Sequence, residues 1–281
     1  MTTSRKMMMA ASGAGGADAS FMGDIVTAEL DGNLQFCLDA GSADSYTSGT
    51  KWLDLSGNGQ DFFRGPDGNS QRPVFNGTAG GLSSSEYWSW ADDSGAPYFR
   101  YDSANETWMN NMHQNNALWS VCWVIYATDT GYANGMIGTT VSNSQHGFNV
   151  HLTSGGTSNK FRIRAHAGNY TNAINETSAD PQVNFNAWNF IGMTISEAAG
   201  GTASRWWTDR SGEDAFNGTY TSPSSAAATN VLELFAKGAG TSTWAGASGL
   251  KVGAVAAWSG VGLTAANFST LHSAIGPRFG I

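Results

Sequence analysis

The stretch that most constrains the fold is residues 34–63, where two short apolar segments are separated by turn-forming residues. In residues 34–38 large apolar side chains alternate with smaller or polar ones, which is the period of a half-buried β-strand. Residues 52–55 lead into Ser-Gly-Asn-Gly at 56–59, whose glycines and asparagine supply the positive-φ positions of a tight turn. Asp54 is placed to accept hydrogen bonds from the amides of that turn. This stretch therefore predicts the start of a β-sheet.

The rest of the chain continues as short apolar segments joined by glycine-rich turns. The clearest is residues 119–126, which is apolar on both faces and so predicts a strand in the middle of a sandwich. Further strands are predicted at residues 87–90, 98–101, 136–138, 147–152, 160–165, 188–195, 205–210, 232–236 and 250–258. Only residues 264–275 predict a helix, with Thr264 as N-cap and Phe268, Leu271 and Ile275 on one face. Strands at this spacing predict an all-β, two-sheet antiparallel sandwich.

Composition limits the kinds of partner. The chain has 281 residues, of which only 13% are charged, and a net charge of −8. Because phosphate binding needs a concentrated basic surface, nucleic acid is not expected as a partner. No apolar run approaches the ~20 residues of a membrane helix, so membrane insertion is not expected either. The length suits one large all-β domain, which we place at residues 24–281.

Residues 1–23 differ from the remainder, being rich in Ala, Gly and Ser and poor in aromatic residues. Such a segment cannot bury a core of its own, and composition alone favours a disordered leader. We instead predict an extended attachment arm in which Arg5 and Lys6 form a basic patch and Met7, Met8 and Met9 are adaptable apolar anchors. Its apolar part is shorter than the ~7–15 residues of a secretory signal, so no signal peptide is expected.

Two motifs resemble a known family. The pairing of Leu-Asp-Ala-Gly at 38–41 with Trp-Leu-Asp-Leu-Ser-Gly-Asn-Gly at 52–59 resembles the opening of concanavalin A-like (laminin-G-like) jelly-roll domains found in phage and bacterial proteins. Residues 252–258 and 262–268 are similar to the closing strand and short helix of that family. The resemblance implies a jelly roll, and the first residues of the chain also resemble those of phage structural proteins. It leaves function open, because this fold hosts lectins, glycosidases and structural modules.

The glycosidases of this fold carry Glu-x-Asp-x-Glu runs, which place an acid and a nucleophile in one cleft. This sequence has no such run, and its nearest acidic pair, Glu213 and Asp214, reads as part of a loop. No catalytic residue is therefore predicted. The resemblance does imply that calcium is a possible cofactor, with Asp39, Asp54 and Asn58 as candidate ligands. The alternative is that these side chains cap backbone amides in turns.

Aromatic side chains on predicted strands provide candidates for carbohydrate binding, because the C–H faces of sugars pack on rings. The candidates are Trp88, Trp90, Tyr98 and Trp206, and the alternative is that these rings form the core. Cys37 and Cys122 fall inside predicted strands. They are interpreted as buried free thiols, with a disulfide as the alternative.

These inferences lead to two expectations for function. The first is a non-enzymatic bacteriophage virion protein, a capsid decoration, fibre or tail component, which displays its lectin-like jelly roll on the particle surface. Its arm would bind other virion proteins, it would assemble as a homo-oligomer such as a trimer, and host-surface glycan is a candidate ligand. The alternative is a secreted or particle-borne polysaccharide-degrading enzyme of the same fold.

Overall fold

The computed structural model describes residues 19–65, 72–90, 97–101, 106–128, 134–140, 145–152, 161–167, 172–177, 183–197, 204–215, 225–236 and 249–281. Within these ranges there are three helices and sixteen strands. The helices are α1 (Phe21–Thr27), α2 (Thr107–Asn110) and α3 (Ala265–Phe279). The strands are β1 (Leu34–Asp39), β2 (Lys51–Trp52), β3 (Phe62–Gly65), β4 (Val74–Asn76), β5 (Tyr87–Ser89), β6 (Tyr98–Tyr101), β7 (Leu118–Ala127), β8 (Asn134–Gly138), β9 (His146–Leu152), β10 (Phe161–Ala167), β11 (Asn172–Thr177), β12 (Ala187–Ser196), β13 (Arg205–Thr208), β14 (Gly212–Ala215), β15 (Glu233–Leu234) and β16 (Lys251–Ser259).

The strands form two eight-stranded antiparallel sheets. Sheet A has the order β14-β13-β12-β7-β16-β5-β4, with β1 beside β5 on the same edge of β16. Sheet B has the order β11-β10-β9-β8-β15-β6-β3-β2. The long strand predicted from residues 119–126 is β7, and it lies between β12 and β16 in the middle of sheet A. The prediction of a two-sheet antiparallel sandwich is confirmed.

The main core lies between the two sheets. Along β7, alternate side chains point to opposite faces, so Trp119, Val121, Trp123 and Ile125 all pack into the space facing sheet B. The largest fully buried side chains of this core are aromatic, among them Trp52, Trp88, Trp119, Trp123, Phe36, Phe62, Phe99 and Phe148. Aromatic rings therefore supply much of the apolar area that holds the sheets together.

A second apolar layer covers part of the outer face of sheet A, where α3 packs. The helix begins as predicted, because the Thr264 side chain accepts a hydrogen bond from the Asn267 amide in a capping box. It continues beyond the predicted end at residue 275 to Phe279, and the C-cap Gly280 has a φ of 72°. Gly192 and Gly253 allow this close approach, since a Cβ at either position would lie 2.4 Å from a ring of Phe268 or Phe279. In the described part of the chain, no helix combines the length and the apolar character needed to cross a membrane.

Helix α1 belongs to the same layer and was not predicted from the sequence. Ser20 caps it by accepting a hydrogen bond from the Gly23 amide, and Phe21 and Ile25 are fully buried. The predicted boundary between arm and domain, after residue 23, therefore falls inside a helix of the folded domain. The predicted anchors Arg5, Lys6, Met7, Met8 and Met9 lie outside the described residues.

The two cysteines are free and buried under this helical layer. Cys37 in β1 and Cys122 in β7 both lie opposite Ala256, from the two sides of β16. Two strand spacings separate their Cα atoms by roughly 9–10 Å, beyond the reach of a disulfide. Burial raises the pKa of both thiols, so they remain protonated and behave as small apolar side chains. Their interpretation as buried free thiols is confirmed.

Candidate functional site

The four rings proposed for sugar binding are buried in the core. Trp88, Trp90, Tyr98 and Trp206 are each at most 7% exposed. Trp88, for example, packs edge-on against Phe99 with ring centroids 5.0 Å apart. This differs from the expectation drawn from the sequence. Trp88, Trp90 and Trp206 point toward the opposite sheet, whereas Tyr98 lies on the other face of β6 from the core residue Phe99 and packs against Arg100. Buried in this way, none of the four presents a ring face that a sugar can reach.

Asp39, the first calcium candidate, is part of a buried ion pair. Its carboxylate accepts hydrogen bonds from the amides of Phe21 and Gly41, at 2.9 and 2.8 Å. It also accepts two bonds from Arg278 Nη1, at 2.8 and 2.9 Å. Asp39 thus joins β1 to the start of α1 and the end of α3, which explains why a carboxylate is tolerated at full burial.

The other two calcium candidates hold the tight turn at residues 56–59. Asp54 accepts hydrogen bonds from the amides of Cys37 and Ser56, at 2.9 and 2.8 Å. Burial raises the pKa of Asp54, while these hydrogen bonds act in the opposite direction. Asn58 donates from Nδ2 to the Leu34 carbonyl at 2.7 Å. Asp39 and Asp54 therefore make the amide-capping contacts given as the alternative, and Asn58 bonds a backbone carbonyl instead. Calcium binding by these residues stays a prediction. Among the described residues, no group of three or more His, Cys, Asp or Glu side chains is arranged to hold a metal ion.

The acidic pair considered for catalysis lies in a strand, β14, and not in a loop. Glu213 is opposite Trp207 and Asp214 is opposite Trp206, and these two tryptophans belong to different apolar layers. The two carboxylates therefore point to opposite faces of sheet A, and Glu213 forms an ion pair with Arg205. They cannot act together in one cleft.

A groove of about 310 Å³ lies beside the start of β1. It is lined by Met22, Asp31, Asn33, Leu34, Gln35, Ser56 and Asn58. Several of its polar groups already serve the protein, since Gln35 Nε2 donates to the Asn33 carbonyl and Ser56 Oγ to the Gln35 carbonyl. Much of the polar lining is thus occupied in holding the local turn, which makes this groove the weaker candidate for a ligand site.

A stronger candidate lies on the outer face of sheet A, beyond the end of α3. Here side chains from neighbouring strands are directly opposite one another in register. Trp188 of β12 is opposite Tyr126 of β7, Tyr126 is opposite Lys251 of β16, and Lys251 is opposite Ser89 of β5. Tyr87 lies two residues from Ser89 on the same face. We call Trp188, Tyr126, Lys251 and Tyr87 the aromatic row, and all four are partly exposed.

The aromatic row is held together by contacts among its own members. The Trp188 ring centroid is 5.9 Å from that of Tyr126 and 6.0 Å from that of Tyr87. The Lys251 ammonium lies 4.4 Å from the Tyr126 centroid and 4.9 Å from the Tyr87 centroid. At one end Phe279 of α3 packs against Trp188, with centroids 4.6 Å apart. The row is therefore a preformed surface on rigid strands, bounded on one side by a helix.

The chemistry of the aromatic row combines apolar ring faces with polar tips. Tryptophan and tyrosine present large apolar surfaces and one donor or hydroxyl each, and lysine adds three N–H donors. Such a surface suits a ligand that has both C–H faces and hydroxyl groups. These residues were not predicted from the sequence. The available signal was position: Tyr87 and Tyr126 sit on the opposite face of their strands from core residues such as Trp88 and Ile125.

Comparisons with known proteins establish the fold. No family model matches this sequence, and no curated protein is detectably similar to it. Among solved structures, the binding domain of botulinum neurotoxin serotype C1 matches with a TM-score of 0.57 and 12% identity, covering 87% of this chain and 52% of that one. The fold is a jelly-roll-like β-sandwich of the kind found in that domain.

Two further structures carry the same sandwich. The binding domain of botulinum neurotoxin DC in complex with SialylT has a TM-score of 0.57 at 11% identity, covering 87% of this chain and 52% of that one. The Trypanosoma rangeli sialidase in complex with sialic acid has a TM-score of 0.51 at 10% identity, covering 85% and 32%. The chain spans about half of the neurotoxin domains and a third of the sialidase. At such identities the likeness concerns the fold alone.

Proposed function

We propose that this protein is a non-enzymatic, lectin-like jelly roll that binds glycan through the aromatic row. The observation that carries the proposal is the set of three partly exposed rings, Trp188, Tyr126 and Tyr87, on one rigid sheet face. Support also comes from two structural neighbours of the same sandwich. One is the binding domain of botulinum neurotoxin DC in complex with SialylT, and the other is botulinum neurotoxin type C, whose cell entry is dependent upon interaction with two ganglioside molecules.

The proposal follows from how rings and sugars interact. A pyranose presents a face of C–H bonds that packs on an aromatic ring, while its hydroxyls need hydrogen-bonding partners around the edge. The tyrosine hydroxyls and the Trp188 indole N–H sit beside the ring faces and supply such partners. A single site of this kind binds weakly. Display of several copies on a homo-oligomer, such as a trimer, raises the apparent affinity without any new contact.

The absence of catalysis belongs to the proposal, and it is supported by the contacts of three buried carboxylates, those of Asp39, Glu233 and Glu86. Asp39 is paired with Arg278, and Glu233 accepts two hydrogen bonds from Arg100, at 3.0 and 2.8 Å. Glu86 accepts hydrogen bonds from the backbone amide and the hydroxyl of Ser83. A carboxylate whose oxygens are held by side chains of the fold is unlike the general acid of a glycosidase, which must face the glycosidic oxygen.

We further propose that the jelly roll is displayed on the surface of a bacteriophage particle, as a capsid decoration, fibre or tail component. The support is the composition of residues 1–18, a basic and methionine-rich start followed by alanine and glycine, ahead of a domain that begins with α1. Deletion of residues 1–18 is expected to remove the protein from particles of the encoding phage while leaving the domain folded, measured by immunoblotting of purified particles. Retention of the shortened chain would contradict this attachment role.

The glycan proposal is tested with purified full-length protein on an array of bacterial capsular and O-antigen oligosaccharides and animal glycans. We expect the wild-type protein to bind at least one class, and Trp188→Ala and Tyr126→Ala each to weaken that binding about tenfold through loss of ring contacts. Val26→Ala is the matched control, because Val26 is an apolar side chain that is 51% exposed on α1, outside the row. Equal losses of glycan affinity in all three variants would show that the aromatic row is not the binding site. Absence of any glycan binding by the wild-type protein would refute the proposed function.

A further inference from the structure

We propose that the aromatic row selects sugars that carry a carboxylate, and that Lys251 is the residue that selects them. This inference rests on the proposed glycan-binding function and names its ligand class. Of the side chains that meet in register here, Trp188, Tyr126, Ser89 and Tyr87 are neutral, and Lys251 alone carries a charge. A ligand that offers a negative group at the position of that ammonium is therefore favoured over a neutral ligand of the same shape.

Lys251 differs from several other cations among the described residues. Four of them lie within ion-pair distance of a carboxylate, in the pairs Lys51–Asp61, Arg100–Glu233, Arg205–Glu213 and Arg278–Asp39. Within the described ranges no carboxylate forms such a pair with the Lys251 ammonium, whose neighbours are the faces of Tyr87 and Tyr126. The rings attract a cation through their quadrupole but carry no net charge. The positive charge therefore remains available to a ligand.

The rings also fix where that charge sits. An exposed lysine normally loses side-chain entropy when it binds an anion, and this loss weakens surface ion pairs. The Lys251 ammonium already lies 4.4 and 4.9 Å from two ring centroids, so part of that ordering is complete before a ligand arrives. A sugar stacked on either ring would carry its ring substituents within reach of the Nζ donors.

The net charge of −8 does not oppose this local attraction strongly. At physiological ionic strength the Debye length is about 8 Å, so charges elsewhere on the domain are largely screened at the aromatic row. A carboxylate in direct contact with an ammonium is much closer than that. The Lys251 ammonium therefore dominates the electrostatic interaction with a bound carboxylate. We expect the preference for acidic sugars to arise from this direct contact and not from long-range steering.

The experiment uses matched pairs of oligosaccharides, one pair ending in a uronic acid and one ending in a sialic acid, each compared with its carboxyl-reduced alcohol. We expect the wild-type protein to bind the acid of at least one pair about tenfold more tightly than its alcohol, as measured by calorimetry. Lys251→Met, which keeps an unbranched apolar stem, is expected to lose that preference while still binding the alcohol. Lys251→Arg, which keeps the charge, is expected to retain it. A preference confined to one pair identifies the sugar that supplies the carboxylate.

Two results would overturn the inference while leaving glycan binding intact: equal binding of acid and alcohol by the wild type in both pairs, or an undiminished preference in Lys251→Met. Absence of binding to every member of both pairs and to the glycan array would refute the proposed function itself. The three outcomes differ, because only the last removes binding to neutral sugars.

Discussion

The outer face of sheet A has a covered half and an open half, and the same strands run through both. Along β7, Cys122 and Val124 lie under the helical layer, and Tyr126, two residues further, belongs to the aromatic row. Along β16, Ala254 and Ala256 are covered, and Lys251 is in the open half. The same backbone strands continue through both halves, so the side chains determine which half of the sheet face is covered.

The two halves differ in polarity and in the small residues that lie directly under the rings of α3. The covered half has small residues, including Gly192, Gly253 and Ala256, over which the rings of α3 can lie close to the sheet. The open half has large side chains with polar ends, which tolerate partial exposure to water. The difference teaches that small residues on one sheet face mark where a helix docks, while amphipathic aromatic residues mark where the face is left for solvent or a ligand.

The largest expected effect comes from weakening the covered half. Phe268 is fully buried and lies over Gly192, so Phe268→Ala leaves a cavity between helix and sheet. We expect it to lower the free energy of unfolding by about 3–5 kcal/mol, measured by urea denaturation. Trp188→Ala, in the open half, provides the comparison and is expected to cost clearly less because its ring is only partly buried. Equal costs would show that the two halves do not differ in the way proposed.

The next effect concerns the ion pair that holds α3 against β1. Asp39→Asn leaves Arg278 without its charge partner at a nearly buried position, where its side chain is 8% exposed. We expect a loss of about 3 kcal/mol in the free energy of unfolding. The double variant Asp39→Asn/Arg278→Leu removes the uncompensated charge and should recover part of that loss. Additive losses in the double variant would mean that the pair contributes no coupling.

The strand pattern made most of the fold predictable. Residues 119–126 could be placed in the middle of a sheet because both of their faces are apolar, and Thr264 could be placed at a helix start because of its capping chemistry. Helix α1 was missed because it has only seven residues and contains Gly23. A helix of that length is not stable alone, and its formation depends on the contacts of Phe21 and Ile25 with the sheet.

The candidate site was less predictable, for a related reason. Tyr87 and Trp88 are adjacent aromatic residues on one short strand, and alternation places them on opposite faces. Alternation does not say which face meets the second sheet, because that depends on strands far away in the chain. Trp88 was predicted as a sugar-binding ring but lies in the core, and its neighbour Tyr87 is the partly exposed one. Asp54, by contrast, was correctly placed as a possible turn cap because its partners are largely local.

The smallest expected effect lies at the edge of the covered half and depends on pH. Asp209 Oδ1 accepts a hydrogen bond from the Phe190 amide at 2.8 Å, and burial raises the pKa of this carboxyl above its usual value. A raised pKa means that the folded protein holds the proton more tightly than the unfolded chain, so the contribution of Asp209 to stability is greatest at low pH and falls as the pH rises through its folded pKa.

Asp209→Asn keeps an acceptor for Phe190 and removes the buried charge. We expect it to raise the free energy of unfolding at pH 7 by about 0.5 kcal/mol, and this gain to vanish near and below pH ~4, where the wild-type carboxyl is protonated. Urea denaturation of the wild type and the variant at pH 7 and pH 3.5 measures the difference in their free energies of unfolding. A variant that is less stable than the wild type at pH 7 would contradict this expectation. It would show that the negative charge of Asp209, and not the hydrogen bond alone, holds β13 against β12.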